Sequence, residues 1–471
     1  MSGFEPYRQY KMSGVDWLGD VPEHWTTGTL RWYATIQGGI AKGKDYQGRD
    51  TVSVPYLRVA NVQDGFLDLT EVKEISVLES ELERYSLQLD DVLMNEGGDN
   101  DKLGRGAVWR GQINPCLHQN HVFAIRTNHL LKPEWLATFT GSQPARTYFF
   151  LNSKQSTNLA SISASNIMSL ALPIPPVAEQ ERVLRFLNHE IARIDALIQE
   201  QQRLIELLKE KRQAVISHAV TKGLDPTVPT MDSGVEWLGP VPAHWRQNYK
   251  LGAMADERRG GFVNGPFGSD LLSSELTHEG VPVVYIRDVK PTGYFRKSTD
   301  CVTKEKARQL SVCRVLPGDV LVAKVGSPPG DACIYPGSEP DGIVTQDVVR
   351  IRVKSEVVDA EYLVFLLKSN YARAVVDAVS VESTRKRFSL GDYKQLKLPL
   401  PPLAEQVQIA RNIGTQFETM DALLSTANEG IFLIQERRSA LITAAVTGKI
   451  DVRDWQPSAI APSSQLAQEA V

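Results

Sequence analysis

Basic and amide side chains gather in short polar runs along this chain. These groups bond to phosphate oxygens, and their forked ends match the edges of bases in a DNA groove. Ser383–Arg387 (STRKR) places three cations in five residues. It is either a nucleic-acid contact or a solvated surface loop. By residue type and polar setting, the candidates in the first half are Lys42, Lys44, Arg58, Asn61, Lys102, Arg105, Gln119, Asn120, Lys154 and Gln155. In the second half they are Arg258, Arg259, Arg287, Lys324, Gln346, Arg385, Lys386 and Arg387. Tyr56-Leu57-Arg58 and Tyr285-Ile286-Arg287 put an arginine at a strand end in each half, which reads as a shared position. That position serves either phosphate positioning or a structural ion pair. Asp99 and Asp101 in the Gly-rich stretch Asn95–Gly106 would repel phosphate but can accept from cytosine N4.

Marks of catalysis are missing. There is no G-x-x-x-x-G-K-[ST] phosphate loop and no G-x-G-x-x-G after a strand. Pro175-Pro176 and Pro401-Pro402 lack the preceding Asn or Asp of an amino-methyltransferase pocket. Pro317-Gly318-Asp319 followed by Val322-Ala323-Lys324 lacks the second carboxylate that a nuclease metal site needs, and reads as a strand end. His118 and His121 flank Gln119-Asn120, but no acidic or cysteine ligands cluster nearby, so a polar role is expected, not a metal. The expectation is a binding protein with no catalytic site, metal or cofactor of its own.

The bulk numbers agree. With 42% hydrophobic and 23% charged residues, the 471-residue chain reads as soluble and globular, with two or three domains. No apolar run is long enough to span a membrane, and the N-terminal residues do not form a secretory signal. Four cysteines without a CxxC pair fit a reducing cytosol. A net charge of −4 means that any nucleic-acid contact must rest on local basic patches.

These candidates are positioned by a chain that repeats itself. Leu170–Gln180 (LALPIPPVAEQ) returns as Leu396–Gln406 (LKLPLPPLAEQ) at an offset of 226 residues. Upstream, Ser13–Gly19 (SGVDWLG) and VPEHW ending at Trp25 return as Ser233–Gly239 (SGVEWLG) and VPAHW ending at Trp245. Trp17, Trp25, Trp237 and Trp245 read as packing anchors of this copied frame. After each AEQ the apolar residues fall three and four apart, as in a heptad seam. The first seam is Leu184, Leu187, Ile191, Ile194, Ile198, Ile205, Leu208 and Val215. The second is Ile413, Phe417, Met420, Leu424, Ile431, Ile434 and Leu441. Arg212 and Arg438 sit on it, where a polar residue either fixes register or is solvated near the coil's end. Each helix of ~44 residues makes a rod on the order of 65 Å. Two such narrow seams are expected to pack on each other, antiparallel; the alternative is that each helix packs on its own domain.

Val52–Val59, Val122–Arg126, Val281–Arg287, Val320–Lys324 and Val348–Val353 read as strands, and Pro133–Phe139 and Ala360–Ser369 as helices. The fold class is therefore α+β, as two mixed domains with a pseudo-twofold repeat and a two-helix coil. The expected division is a lead-in at 1–25, a first domain at 26–177 and a central helix at 178–222. A linker follows at 223–245, then a second domain at 246–403, a C-terminal helix at 404–448 and a disordered tail at 449–471.

Two variable domains, each led by WLG-x-VP-x-HW and followed by P-x-PP-x-AEQ and a long helix, resemble the specificity subunit of type I restriction-modification systems. The resemblance spans about residues 10–450. Further matches are Gly265-Pro266-Phe267-Gly268-Ser269 and His118-Gln119-Asn120. It implies two target-recognition domains, each reading one half of a bipartite double-stranded DNA target. It also implies a helical spacer that docks two methyltransferase subunits, and motor-nuclease restriction subunits joined through them. AdoMet, ATP and Mg would belong to those partners, in the cytoplasm. The competing readings are a structural scaffold that does not read DNA and a fragment of a self-contained restriction-methylation enzyme.

Overall fold

A computed structural model describes residues 4–457 except 44, 45, 47, 99–102, 105, 156–159, 235–237, 259, 267, 269 and 381–385. The chain forms two compact units that do not follow its linear order. Unit 1 takes residues 1–201 and 428–471, and unit 2 takes residues 202–427. Each unit therefore holds one α+β body and a stretch of each long helix.

The body of unit 1 is built on a four-stranded antiparallel sheet. Its order is Ala34–Gly38, Val122–Thr127, Val92–Asn95, Gly106–Val108. Unit 2 repeats that order with Phe262–Asn264, Val348–Ile351, Val320–Ala323 and Ala332–Ile334. The central strands are mostly apolar and mostly buried, as a sheet covered on both faces requires, with Asn95 and Arg350 as buried polar exceptions. Pro133–Thr140 covers the sheet in unit 1 and Ala360–Lys368 does so in unit 2. A second sheet in each body contains a short parallel pair: Val52–Leu57 beside Leu117–His118, and Val281–Val284 beside Gly342–Val344. The strands predicted to reach Val59 and Arg287 end earlier. Val59–Asn61 and Ile286–Asp288 turn into 3-10 helices, capped by Asn61 and Asp288 side chains that bond back to the main chain.

The long helices run Val177–Lys222 and Leu403–Val446. Pro176 and Pro402 accept the first helical N–H bonds, from Gln180 and Gln406. Gly223 and Gly448 end the helices with φ of 78° and 70°. The heptad seam is visible in the burial pattern. From Gln199 to Lys211 only Gln201, Ile205 and Leu208 are shielded from solvent. In unit 1, Leu184, Leu187 and Ile194 of the central helix share a core with Leu441 and Ala445 of the other, and Ile198 and Ile434 pack against it. In unit 2, Ala219 and Val220 share a core with Ile409 and Ala410. Low numbers of one helix meet high numbers of the other, so the pair is antiparallel within each unit. Both seams also enter the core of the α+β body, so each helix packs on its domain as well as on its partner helix.

The two seam arginines are half-buried register pins, not solvated ends. Arg212 pairs with Asp421 in unit 2, and Arg438 with Asp195 at 3.2 Å in unit 1. Each pair is the 226-residue copy of the other.

The repeated motifs come together at one node per unit. In unit 1, Glu179 of the AEQ triplet accepts from Trp25 Nε1 at 3.0 Å and from Tyr7 Oη at 2.7 Å, and bonds His24 Nε2 at 2.8 Å. In unit 2, Glu405 takes Trp245 Nε1 at 3.0 Å and His244 Nε2 at 2.8 Å. Gln180 accepts from Lys132 N and donates to Leu130 O and Pro175 O. Gln406 repeats this with Asp359 N, Val357 O and Pro401 O. The HW and AEQ motifs are thus two sides of one buried hydrogen-bond network. The helix-ending glycine closes it, since a Cβ on Gly448 would lie 2.3 Å from Pro22.

Candidate nucleic-acid interface

A tight turn lies beyond the parallel strand pair of each body. In unit 1 it is Gln119-Asn120-His121. Gln119 N donates to Leu57 O at 2.8 Å, Val122 N to Gln119 O at 2.8 Å, and Glu96 N to His121 O at 2.9 Å. In unit 2 it is Thr345-Gln346-Asp347. Thr345 N donates to Val284 O at 3.0 Å, Val348 N to Thr345 O at 3.0 Å, and Lys324 N to Asp347 O at 2.9 Å. One glycine presses on each turn. A Cβ on Gly39 would stand 2.0 Å from His118 O, and one on Gly265 2.1 Å from Val344 O. No side chain fits such an approach.

Basic residues surround these turns. In unit 1, exposed Lys42 follows Ile40, which bridges to Gln119. Arg58 follows Leu57, and Lys154 lies on a small sheet with Ala160–Ser161 and Gly97–Gly98, beside Glu96. In unit 2, Lys386 and Arg387 pair in antiparallel register with Gly326 and Val325, directly after Lys324. Exposed Arg287 lies over the Tyr285 ring at 4.5 Å. It lines a cavity of about 590 Å³ with Lys290, Asp331, Asp347 and Arg373. Lys290 and Arg373 were missed in the sequence. Lys290 lies in a two-residue strand with no pattern of its own, and Arg373 is on a helix, paired with Asp331 at 3.0 Å.

Several expectations change. Asn61 is buried, accepts from Arg58 N and donates to Asp68 O and Glu71 O, so its amide is spent inside the fold. Arg58 and Arg287 are not equivalent. The caps at Asn61 and Asp288 make Tyr285 the counterpart of Arg58, so the matched tripeptides were two residues out of register. Arg58 faces Glu71 at 3.6 Å and Arg287 faces Asp300 at 3.7 Å. Arg258 lies at the far end of the Phe262–Asn264 and Val349–Ile351 pairing from Gln346 and is not gathered with the others. Lys44, Lys102, Arg105, Arg259 and Arg385, with Asp99, Asp101, Trp237 and most of the tail, lie outside the described residues, as does the side chain of Gln155.

Asp91, Asp319 and His118 are taken up by contacts within the fold, and the two aspartates stand at the strand ends away from the turns. Asp319 is buried and holds Arg352 at 2.7 Å, as Asp91 holds Arg126 at 2.8 Å, so both are strand-end anchors. His118 is buried with Nδ1 2.6 Å from Val122 O, and burial pushes its pKa below the ordinary value. It is not a cation for phosphate. His121 pairs with Glu96 at 2.6 Å. Among the described residues no helix is long and apolar enough to cross a membrane.

Residues 294–431 match the family model described as type I restriction modification DNA specificity domain. The StySPI type I restriction enzyme specificity subunit of Salmonella potsdam is 22% identical over 93% of this chain and 91% of its own length. A chain solved in work on complex assembly and conformational transition of the type I R-M system aligns with a TM-score of 0.69 and 16% identity. It covers 91% of this chain and 99% of that one. The HsdS subunit of Thermoanaerobacter tengcongensis aligns with a TM-score of 0.51 at 16% identity, over 91% and 98% of the two chains. The chain resembles a type I specificity subunit. Its fold is that of these two solved chains, and in this chain the glutamate node and the glycine-cradled turn each occur twice.

Proposed function

We propose that this chain is the DNA-reading, non-catalytic subunit of a type I restriction-modification complex. Residues 26–177 and 246–403 are the two target-recognition domains, each reading one half of a bipartite target. The helices fix the distance between the half-sites and dock two methyltransferase subunits. Adenine methylation and cleavage belong to partner subunits, with their AdoMet, ATP and Mg.

One observation carries this reading. The two units are copies in their buried frame and differ in the side chains around the turn. Glu96, His121 and Arg58 of unit 1 stand where unit 2 has Lys324, Asp347 and Tyr285. A frame that is kept while its exposed face changes suits one docking geometry with two sequence readouts. Phosphate contacts from lysine and arginine would position each body, and amide and guanidinium groups would read bases. The docking part is supported by exposed leucines beside the seam. Leu197 and Leu433 lie in unit 1, and their repeat copies Leu423 and Leu207 in unit 2. Two equivalent sets of exposed leucines suit two identical partners.

The test is to co-express the chain with the methyltransferase subunit of its own genome in a host without other adenine methylation, and to map methylated sites by single-molecule sequencing. The expected result is one asymmetric motif of two short halves around an unread gap. Methylation without sequence preference, or a single undivided motif, would refute the reading.

A further inference from the structure

We propose that Asn120 and Gln346 occupy the same reading position in the two units and that each contacts the N6 and N7 edge of an adenine in its own half-site. This rests on the DNA-reading function proposed above and adds which residue reads and what base it reads.

The equivalence was hidden in the sequence, where Gln119-Asn120 and Gln346-Asp347 invite the match of Gln119 with Gln346. The hydrogen bonds decide otherwise. Gln119 and Thr345 are the residues whose N–H returns to the neighbouring strand and whose carbonyl accepts from Val122 or Val348. Thr345 also turns its hydroxyl inward to Val284 O at 3.0 Å. His121 and Asp347 give their carbonyls to the next strand and carry unlike side chains. Only the middle residue of the turn has the same chemistry in both units, a side-chain amide at a bend held from below by Gly39 or Gly265. Gln346 is exposed, and Asn120 is half-buried with Nδ2 3.4 Å from His121 Nε2.

A carboxamide offers one acceptor and two donors in a fork. That fork matches adenine, which shows an acceptor at N7 and a donor at N6 in the major groove, and no other base shows that pair. Such a bidentate contact discriminates against a wrong base by roughly 10- to 100-fold. The rigid cradle supports this use, because a reading amide must be held in place before it meets the base. The differing neighbours of the two turns then read the other bases of each half-site.

The experiment uses the complex of the full chain with its methyltransferase subunits. Gln346→Ala and Asn120→Ala are made separately, and methylated motifs are mapped in each. Gln346→Ala should relax one A·T position of the second half-site by roughly 10- to 100-fold and leave the first half unchanged. Asn120→Ala should do the converse. Gln346→Glu should lose adenine preference at that position, since a carboxylate cannot donate to N7. An unchanged motif would overturn the proposal. So would a uniform loss at all sequences, which marks a phosphate contact, or a relaxation at a G·C position. If the wild-type complex yields no bipartite motif, the proposed function fails first, and that result is read before any variant.

Discussion

Glu179 and Glu405 occupy the same place in the two units, each under a tryptophan N–H, each bonded to a histidine and each in the first turn of a long helix. Around the turns at Asn120 and Gln346 the same two units share a backbone and almost no side chains. The difference follows from what each region is asked to satisfy. A buried carboxylate must have its donors, so its partners cannot drift without leaving an orphan group. An exposed side chain on a well-held turn keeps access to water when a neighbour such as Glu96 or His121 is changed, so it is far less constrained. The frame therefore preserves where a side chain stands, while the identity of that side chain is open to selection by whatever the turn meets.

The largest effect should come from shortening what the two units share, the helices. Removing one heptad from both helices, residues 198–204 and 424–430, deletes equivalent segments and preserves the seam. It takes away roughly 10 Å of each rod. If the helices set the gap between half-sites, the mapped motif should lose up to about three unread base pairs or methylation should stop. An unchanged gap would end the ruler reading. Removing the heptad from one helix alone should destabilise the coil strongly, because the apolar seam residues beyond the cut no longer meet their partners in register.

Next comes the node itself. Glu179→Ala leaves the buried Trp25 Nε1 and Tyr7 hydroxyl without an acceptor, whereas Glu405→Ala orphans only Trp245 Nε1 among buried donors. At about 1–3 kcal/mol per orphaned buried group, unit 1 should lose roughly 2–6 kcal/mol and unit 2 about 1–3 kcal/mol. Denaturant titration of the full chain, followed by tryptophan fluorescence, would show the ranking. Equal losses would mean that Tyr7 contributes nothing beyond the shared frame.

The frame was legible in the sequence, and the tips were not. Long-range repetition and a three-four apolar spacing located both helices to within a residue or two, because a seam that buries one face must repeat its residue types. The AEQ and HW motifs were visible as copies, yet their partnership was not, since Trp25 and Glu179 are 154 residues apart. The matching of Arg58 with Arg287 failed because short tripeptides carry too little pattern to fix register. The 3-10 caps at Asn61 and Asp288 fix it through side-chain bonds that residue type alone does not reveal. Asn61 looked like a reader because buried and exposed asparagines are written with the same letter.

The smallest effect tests how closely the two halves of the coil match. Arg212 and Arg438 make reciprocal ion pairs that are partly exposed, so each coupling to its aspartate should be only about 0.2–1 kcal/mol in a double-mutant cycle. The pairs differ in what lies under the guanidinium. Arg212 stacks over the Phe417 ring at 4.0 Å, but Ile191 is the repeat copy of Phe417, so Arg438 has no ring at the equivalent position. Lysine can keep the charge at either site, yet it loses the flat stacking surface. Arg212→Lys should therefore cost about 0.5–1 kcal/mol more than Arg438→Lys. Phe417→Ile in the Arg212→Lys background should cost less than in the wild type. If both lysine variants cost the same and the cycle shows no coupling to Phe417, the ring is packing alone, and the two register pins are energetically identical despite their different neighbours.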